Sequence, residues 1–417
     1  MLDANIGSAK DNMNSAIHNW YKFTAGFSYK FIDLVVDDME EKPSCIYEPF
    51  AGCGTTLVAA QKKKIHSKGN ESQQLMCDII NAKLNWDIDS NKCHDYIDKV
   101  LNTVLAQSAN DISDEYNELL CSLYDAETLK ALYLLRDSIK SLGDNKYELF
   151  LNLALSQTLH KAALHPIAVP YIARSKTLVN SGDALGKFKA ISLQMLADLE
   201  TMPHHERMAD VYKADSRFRN TNIEDCSCDL CITSPPYLNN LDYGEVSKVH
   251  THFFELTNNW HDITEKVRHH LVTGATTHYK EAEFNLDEFW KTDFAQSNKR
   301  LMEVLVTKYI DIKKNATDRK GKKSFHILMM RYFEDMFHVL VEMKRVLKAG
   351  SKAFLILGDS APYGVYVPTT QYLGEIAHSV GFGDYEIFKI RERGNKWKSL
   401  SNRHNVGLSE NILVLNG

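Results

Sequence analysis

Ile46-Tyr47-Glu48-Pro49-Phe50-Ala51-Gly52-Cys53-Gly54-Thr55-Thr56-Leu57-Val58-Ala59-Ala60 carries a short strand through a Gly-x-Gly turn into an apolar helix. Glycine adopts positive φ readily and leaves no side chain in the way, so such a turn lets a ligand approach the backbone and the helix N-terminus beyond it. A lone Gly-x-Gly reads equally as a tight structural turn. The next strand ends in Gly69-Asn70-Glu71, where an acidic residue at the tip is placed to accept hydrogen bonds from ribose hydroxyls. With Glu71, and without a third phosphate-binding glycine or a Walker lysine, the pattern suits a nucleoside lacking phosphates better than NAD or ATP.

Downstream, the apolar run Leu230-Cys231-Ile232 leads into Thr233-Ser234-Pro235-Pro236-Tyr237. Two successive prolines fix φ, bias the preceding residue to an extended conformation and remove two N–H donors. What remains on offer is carbonyls, the Ser234 hydroxyl and the flat face of Tyr237. Those groups suit an exocyclic amine, although the pentapeptide alone reads as readily as a Pro-Pro turn closing a strand.

Together the two segments resemble the S-adenosylmethionine-dependent amino-methyltransferases of DNA, whose cofactor loop reads (D/E)PFxGxGTT and whose base-holding loop reads (S/D/N)PPY. The TSPPY form is most similar to the N4-cytosine branch. The cofactor loop precedes the catalytic loop here, and Asn19-Trp20-Tyr21-Lys22-Phe23 through Phe27-Ser28 resembles the family's cofactor-flanking segment, which implies the alpha order of motifs. The resemblance spans the chain except for about 87–205 and 255–330. It implies S-adenosylmethionine as cofactor, with Phe23, Glu48, Phe50, Gly52, Gly54, Thr55, Glu71 and Asp215 around it. Glu48 would hold the methionine moiety, Phe50 would pack beside the cofactor, and Asp215 would lie near its adenine. Glu48 reads otherwise as a cap of the glycine turn, and Asp215 as a helix cap.

The catalytic residues implied are Ser234, Pro235, Pro236 and Tyr237. An amino group conjugated into cytosine or adenine is a poor nucleophile, because its lone pair is delocalised into the ring. Hydrogen bonds from the two amino hydrogens to Ser234 Oγ and the Pro235 carbonyl would favour a tetrahedral nitrogen, followed by direct in-line transfer. No covalent enzyme intermediate is required, so none of the eight cysteines need be a nucleophile. The proton is then lost to water. The target base must leave the duplex, and Tyr237 stacked on its face would offset part of that cost; plain core packing of Tyr237 is the competing reading.

With 417 residues, 44% of them hydrophobic and 25% charged, the chain is expected to be a soluble protein of two or three lobes. No apolar run approaches the roughly 20 residues of a membrane span, and the N-terminus lacks a signal pattern, so a cytoplasmic protein is expected. Cys226-x-Cys228-x2-Cys231 lacks a fourth ligand nearby, and no metal is expected. His204-His205, His250 with His252, and His269-His270 read as surface or phosphate-facing groups. The net charge of −5 argues against a wholly nucleic-acid-binding surface. Charge is concentrated locally, however. Lys308, Lys313, Lys314, Arg319, Lys320, Lys322 and Lys323 stand against Asp311 and Asp318, and Arg391, Arg393, Lys396, Lys398 and Arg403 against Glu392. Either run alone reads as a solvated loop; two beside a base-handling motif point to phosphate contacts, with Lys313, Lys314, Lys320, Lys322, Arg391 and Arg393 as candidates.

Strands alternating with helical patterns predict a doubly wound α/β, Rossmann-like core: Cys45–Phe50, Ser67–Glu71, Val211–Asp215, Cys228–Thr233, Ala353–Leu357, Tyr385–Ile390 and Asn411–Leu415. The last two, with no helix between them, predict an antiparallel hairpin at the C-terminal sheet edge. Five segments follow: 1–86 with the cofactor loop, a helical insertion at 87–205, 206–254 with the TSPPY loop, a second insertion at 255–330, and 331–417 completing the core. Within 87–205, Glu118–Leu142 and Glu148–Ala163 carry apolar residues at helix spacing. The 255–330 insertion leaves the catalytic strand beside the expected base pocket, where loops of open α/β sheets carry specificity, so it is the expected DNA-reading surface; the 87–205 insertion is its rival. Leu241-Asp242-Tyr243-Gly244 is close enough to line the pocket, and Asp359 falls at another carboxyl strand end.

The leading expectation is a DNA methyltransferase of a restriction-modification or phage-defence system, acting on cytosine N4 in double-stranded DNA with cognate restriction or defence subunits as possible partners. Adenine N6 is served by the same geometry. An RNA or tRNA base methyltransferase would more often read Asp- or Asn-Pro-Pro-Tyr and usually carries a recognisable RNA-binding domain. A catalytically silent DNA-binding subunit is disfavoured by intact Gly52, Gly54, Glu71 and Ser234.

Overall fold

A computed structural model describes residues 6–23, 26–107, 116–167, 172–203, 206–239, 241–279, 281–316, 323–393 and 406–417. Seven strands, β1 (Cys45–Glu48), β2 (His66–Glu71), β3 (Ala209–Lys213), β4 (Cys228–Thr233), β5 (Leu347–Gly358), β6 (Tyr385–Arg393) and β7 (Leu408–Asn416), form one sheet in the order β3-β2-β1-β4-β5-β7-β6. β1 to β5 run parallel, and β7 runs antiparallel to both β5 and β6. Every strand read from the sequence is present, and so is the C-terminal hairpin. Its second strand sits inside, between β5 and β6. Burial explains the choice: residues 410–415 of β7 are buried, whereas residues 386–389 of β6 are exposed and suit the sheet edge.

Alternation along the strands sends one set of side chains to each face. Ile46, Leu230, Ile232, Ile356, Ile412 and Val414 pack with α1 (Tyr29–Asp37) and α2 (Thr55–Lys62). On the opposite face Tyr47, Cys231, Ala353, Leu355, Leu357, Leu413 and Leu415 meet the helices that end the chain's C-terminal half, named below. Both faces are therefore covered, as parallel sheets require. α3 (Gln74–Leu84) follows β2 and packs against β3.

Between α3 and β3 stand α4 (Ser90–Ala106), α5 (Glu118–Cys121), α6 (Ala126–Lys140), α7 (Asn145–Ala162) and α8 (Ala184–Glu200). The single helix expected at 118–142 is broken in two. Asp125 starts a new helix there, its carboxylate accepting from Thr128 N at 2.8 Å and Thr128 Oγ1 at 2.7 Å. These helices share one apolar cluster with Leu57, Val58, Leu75 and Ile79 of α2 and α3. After β4 come α9 (Tyr243–Phe253), α10 (Trp260–Lys266), α11 (Leu286–Phe289), α12 (Asp293–Ser297) and α13 (Lys299–Ala316), then α14 (Phe325–Val346) and, between β5 and β6, α15 (Thr369–Ser379). Phe289, Phe294, Leu301, Met302 and Leu305 join α14, α15 and the sheet in one cluster. Among the described residues no helix is long and apolar enough to cross a membrane.

Candidate functional site

β1 and β4 are neighbours in the sheet, but the chain leaves them in opposite directions, towards β2 and towards β5. Their carboxyl ends thus flank the crevice where open α/β sheets bind ligands. The turn after β1 is pinned to the tip of β2 by Ala51 N donating to Asn70 O at 3.0 Å, and Gly54 N donates back to Ala51 O at 2.7 Å. Gly52 and Gly54 both take positive φ, +53° and +85°. At Gly54, the N-cap of α2, a Cβ would also come 3.2 Å from Ile80 Cγ1. Gly54→Ala is therefore expected to destabilise the fold by about 1–3 kcal/mol, read by denaturant titration.

The tip of β2 presents Glu71 to this turn. Its Oε2 accepts from Gly52 N and its Oε1 from Gln73 N, both at 2.9 Å. Burial pushes its carboxyl up to about 7, against the opposing effect of those N–H groups. Glu71 lines a cleft of about 630 Å³, its solvent-open mouth included, together with Phe23, Phe50, Gly52, Met76, Asp215, Ser234, Pro236 and Tyr243. Among the described residues no Lys or Arg lines it. The wall mixes apolar side chains with polar ones, among them Asn70, Gln73, Ser234 and His270.

Glu48 lies beneath the turn and does not line the cleft. Only 2% exposed, it accepts from Phe50 N at 3.0 Å, from Thr56 Oγ1 at 2.8 Å and from the Thr233 hydroxyl. Burial pushes it up to about 8. Glu48 thereby ties the glycine turn to the end of β4, the arrangement expected of a cap. Gly54 and Thr55 are likewise outside the lining; Gly54 supplies backbone conformation, and Thr55 Oγ1 accepts from Asn12 Nδ2 at 3.4 Å.

Ser234 follows β4 directly. Its hydroxyl donates to Ile356 O of β5 at 3.1 Å, which leaves the oxygen as an acceptor on the cleft wall. Pro236 lines the cleft, and Pro235 is buried without lining it. Tyr237 is half-buried beside Ser234 and is not among the residues lining the cleft. Its hydroxyl donates to Glu410 Oε1 at 3.1 Å, and the Arg393 guanidinium lies over its ring at 4.9 Å.

Asp215 lines the cleft with its carboxylate held by Arg217, whose Nη2 donates to Oδ2 at 2.6 Å and whose backbone N donates to Oδ1 at 3.0 Å. Arg217 also reaches Asp335, which accepts from Thr273 N at 2.8 Å. Asp359 is a structural anchor rather than a ligand site: its oxygens accept from Tyr366, Thr370 and Ser409, and it does not line the cleft. His250 corrects the surface reading of the histidines. It is 2% exposed beside Tyr21 and His160, and burial pushes its imidazole down to about 3. Cys228 is buried with its Sγ 2.9 Å from that of Cys45, and among the described residues no group of three or more His, Cys, Asp or Glu is arranged to hold a metal.

Lys313 and Lys314 are exposed on α13. Arg391 turns inward, its Nε 2.6 Å from Glu410 Oε2 and its Nη2 donating to Gly7 O at 3.1 Å, so it is not a free phosphate ligand. Lys320 and Lys322, with Arg319, Lys396, Lys398, Arg403, His204 and His205, lie outside the described residues. Gln73, Met76 and the Leu271-Val272 segment line the cleft without having been singled out from the sequence, and His270, read there as a surface or phosphate-facing group, lines it as well. Gln73 lies two residues from Glu71 and was within reach of that motif; Leu271 and Val272 return from the second insertion by tertiary folding, and nothing local announces them.

Compared with known proteins, the chain is 22% identical over 453 residues to the type II methyltransferase M.BsoBI of Geobacillus stearothermophilus, the match covering 98% of this chain and 87% of the relative. No family model matches the chain.

Proposed function

We propose that this chain is an S-adenosylmethionine-dependent DNA methyltransferase of a restriction-modification or phage-defence system, and that it modifies an exocyclic amine, cytosine N4 foremost. The observation that carries the reading is that Glu71 and Ser234, from different strands at the switch point, line one cleft as hydrogen-bond acceptors. The likeness to a type II methyltransferase over nearly the whole chain supports the class.

The residues suit the cofactor. Glu71 keeps acceptor capacity beyond its two backbone N–H partners for ribose hydroxyls, Phe23, Phe50 and Met76 offer apolar surface, and among the described residues no Lys or Arg lines the cleft to receive a phosphate. S-adenosylmethionine supplies, when bound, an electrophilic methyl group on a sulfonium. The chain's part is positioning. Glu48 clamps the glycine turn to Thr233, so that Ser234 emerges at a fixed place beside the turn. Ser234 Oγ, its own proton donated to Ile356, accepts from one amino hydrogen of the target base, and the Pro235 carbonyl accepts from the other. The nitrogen lone pair is thereby withdrawn from the ring and aimed into the cleft. Of the basic candidates, Lys313 and Lys314 are the described ones open to solvent, and we assign phosphate contact to that face of the second insertion.

Mass analysis of nucleosides from DNA of cells expressing the protein tests this. N4-methylcytosine is expected. Methyladenine as the sole product would move the target to adenine N6 and leave the mechanism standing; modified RNA with unmodified DNA would overturn the substrate class.

A further inference from the structure

The end of β6 and the start of β7 bring a second set of charged groups against the catalytic loop. Glu410 is 3% exposed, takes the Tyr237 hydroxyl at 3.1 Å on one oxygen and meets Arg391 Nε at 2.6 Å with the other. The far end of the tyrosine is thereby fixed. Gly358 stands opposite Glu410 in the β5–β7 register, and a Cβ there would come 2.1 Å from Arg393 Nη1. Arg393 uses the room this glycine leaves. Its guanidinium lies 4.9 Å from the Tyr237 ring centroid, and among the described residues it has no carboxylate partner, unlike Arg391 two positions earlier.

We propose that Arg393 is an exchangeable gate on the base pocket: its planar cation occupies the Tyr237 ring face that an extruded nucleobase takes, and leaves that face for a DNA phosphate when the base enters. This rests on the methyltransferase reading above. A guanidinium over an aromatic ring and a base over the same ring are contacts of comparable strength, so their exchange is close to balanced. Arginine fits both positions, since it stacks on rings and grips phosphate with the same planar fork. Arg391 cannot play this part, being tied to Glu410 and to the Gly7 carbonyl. The gate also reconciles a half-buried, hydrogen-bonded Tyr237 with a stacking role, because the ring stays where it is and only its cover changes.

The test measures binding of free 2′-deoxycytidine and 2′-deoxyadenosine to the full chain with S-adenosylhomocysteine present, by saturation-transfer NMR. Arg393→Ala and Gly358→Ala should each bind the preferred nucleoside roughly fivefold more tightly than wild type, one by deleting the cover and the other by placing a Cβ where the guanidinium lies. Tyr237→Ala should lose the binding. On unmethylated genomic DNA the sign reverses for Arg393→Ala: affinity falls and the log–log salt slope shrinks by about one. A packing role would not move nucleoside and DNA affinity in opposite directions. Unchanged or weaker nucleoside binding in both variants, with a wild type that methylates the genomic DNA, overturns the gate and leaves the methyltransferase reading intact. A wild type that transfers no methyl group to DNA overturns that reading and the gate with it.

Discussion

Ser234→Ala is expected to lower methyl transfer to DNA by about 10²–10³-fold, the range seen when one preorganised hydrogen-bond group is removed from a reacting centre. Cofactor affinity should stay within about twofold of wild type, because the hydrogen bonds of Ser234 run to Ile356 and, on this reading, to the base. The Ile356 hydrogen bond makes the effect specific. With Ile356 O as the acceptor of its proton, the Ser234 oxygen has lone pairs left for an amino hydrogen of the base. The Pro235 carbonyl survives the substitution and should sustain a residual rate. The structural share is small, since loss of one part-buried neutral hydrogen bond costs about 1 kcal/mol of stability. Single-turnover transfer of tritiated methyl groups, with calorimetric cofactor titration and a thermal melt on the same variant, separates these terms. A near-wild-type rate would make the TSPPY loop a structural turn; a fall in rate matched by a large fall in melting temperature would make Ser234 a packing residue.

The central strands β1, β4 and β5 were legible because they hold short apolar runs ended by turn-forming or acidic residues, and a buried run such as Cys228–Thr233 has few other places to go. Gly52, Glu71 and Ser234 were legible by their place, since all three sit at or just beyond strand tips. What failed was pairing at long range. Glu48 meets Thr233, 185 residues later, and Tyr237 meets Glu410, 173 residues later, and neither partner is legible from the residues around it. Sequence spacing carries no information about which of two polar groups a third will meet across a sheet. The broken helix at Asp125 failed differently: Leu and Tyr spacing continues through Ser122-Leu123-Tyr124, and the capping preference of one aspartate overrides it.

Glu71→Ala is expected to weaken S-adenosylmethionine binding by about 10²-fold at pH 8, the worth of two hydrogen bonds to a charged acceptor, and the wild-type affinity should itself depend on pH. Ribose hydroxyls donate, so they bind the carboxylate and not the acid. With the free protein's Glu71 raised to about 7 by burial, affinity should be flat above that value and fall below it, reaching about one-tenth of the plateau one pH unit lower. The alanine variant should lack this dependence. Stability of the free protein should show the opposite slope. A carboxyl with a folded value above its unfolded one binds more protons when folded, so its contribution is fully present below the ordinary range near 4.5 and is lost as pH rises through about 7. Glu48, raised to about 8, adds to that decline in the same direction and extends it upward. Bound cofactor should offset the Glu71 part, because hydroxyl donors favour the charged form. Calorimetric titrations between pH 6 and 8, with melts of free and cofactor-loaded protein, read both slopes. A wild-type affinity that is level across this range while Glu71→Ala is weak throughout would mean the carboxylate is already ionised in the free cleft, held so by the Gly52 and Gln73 N–H groups, and that burial does not govern its charge.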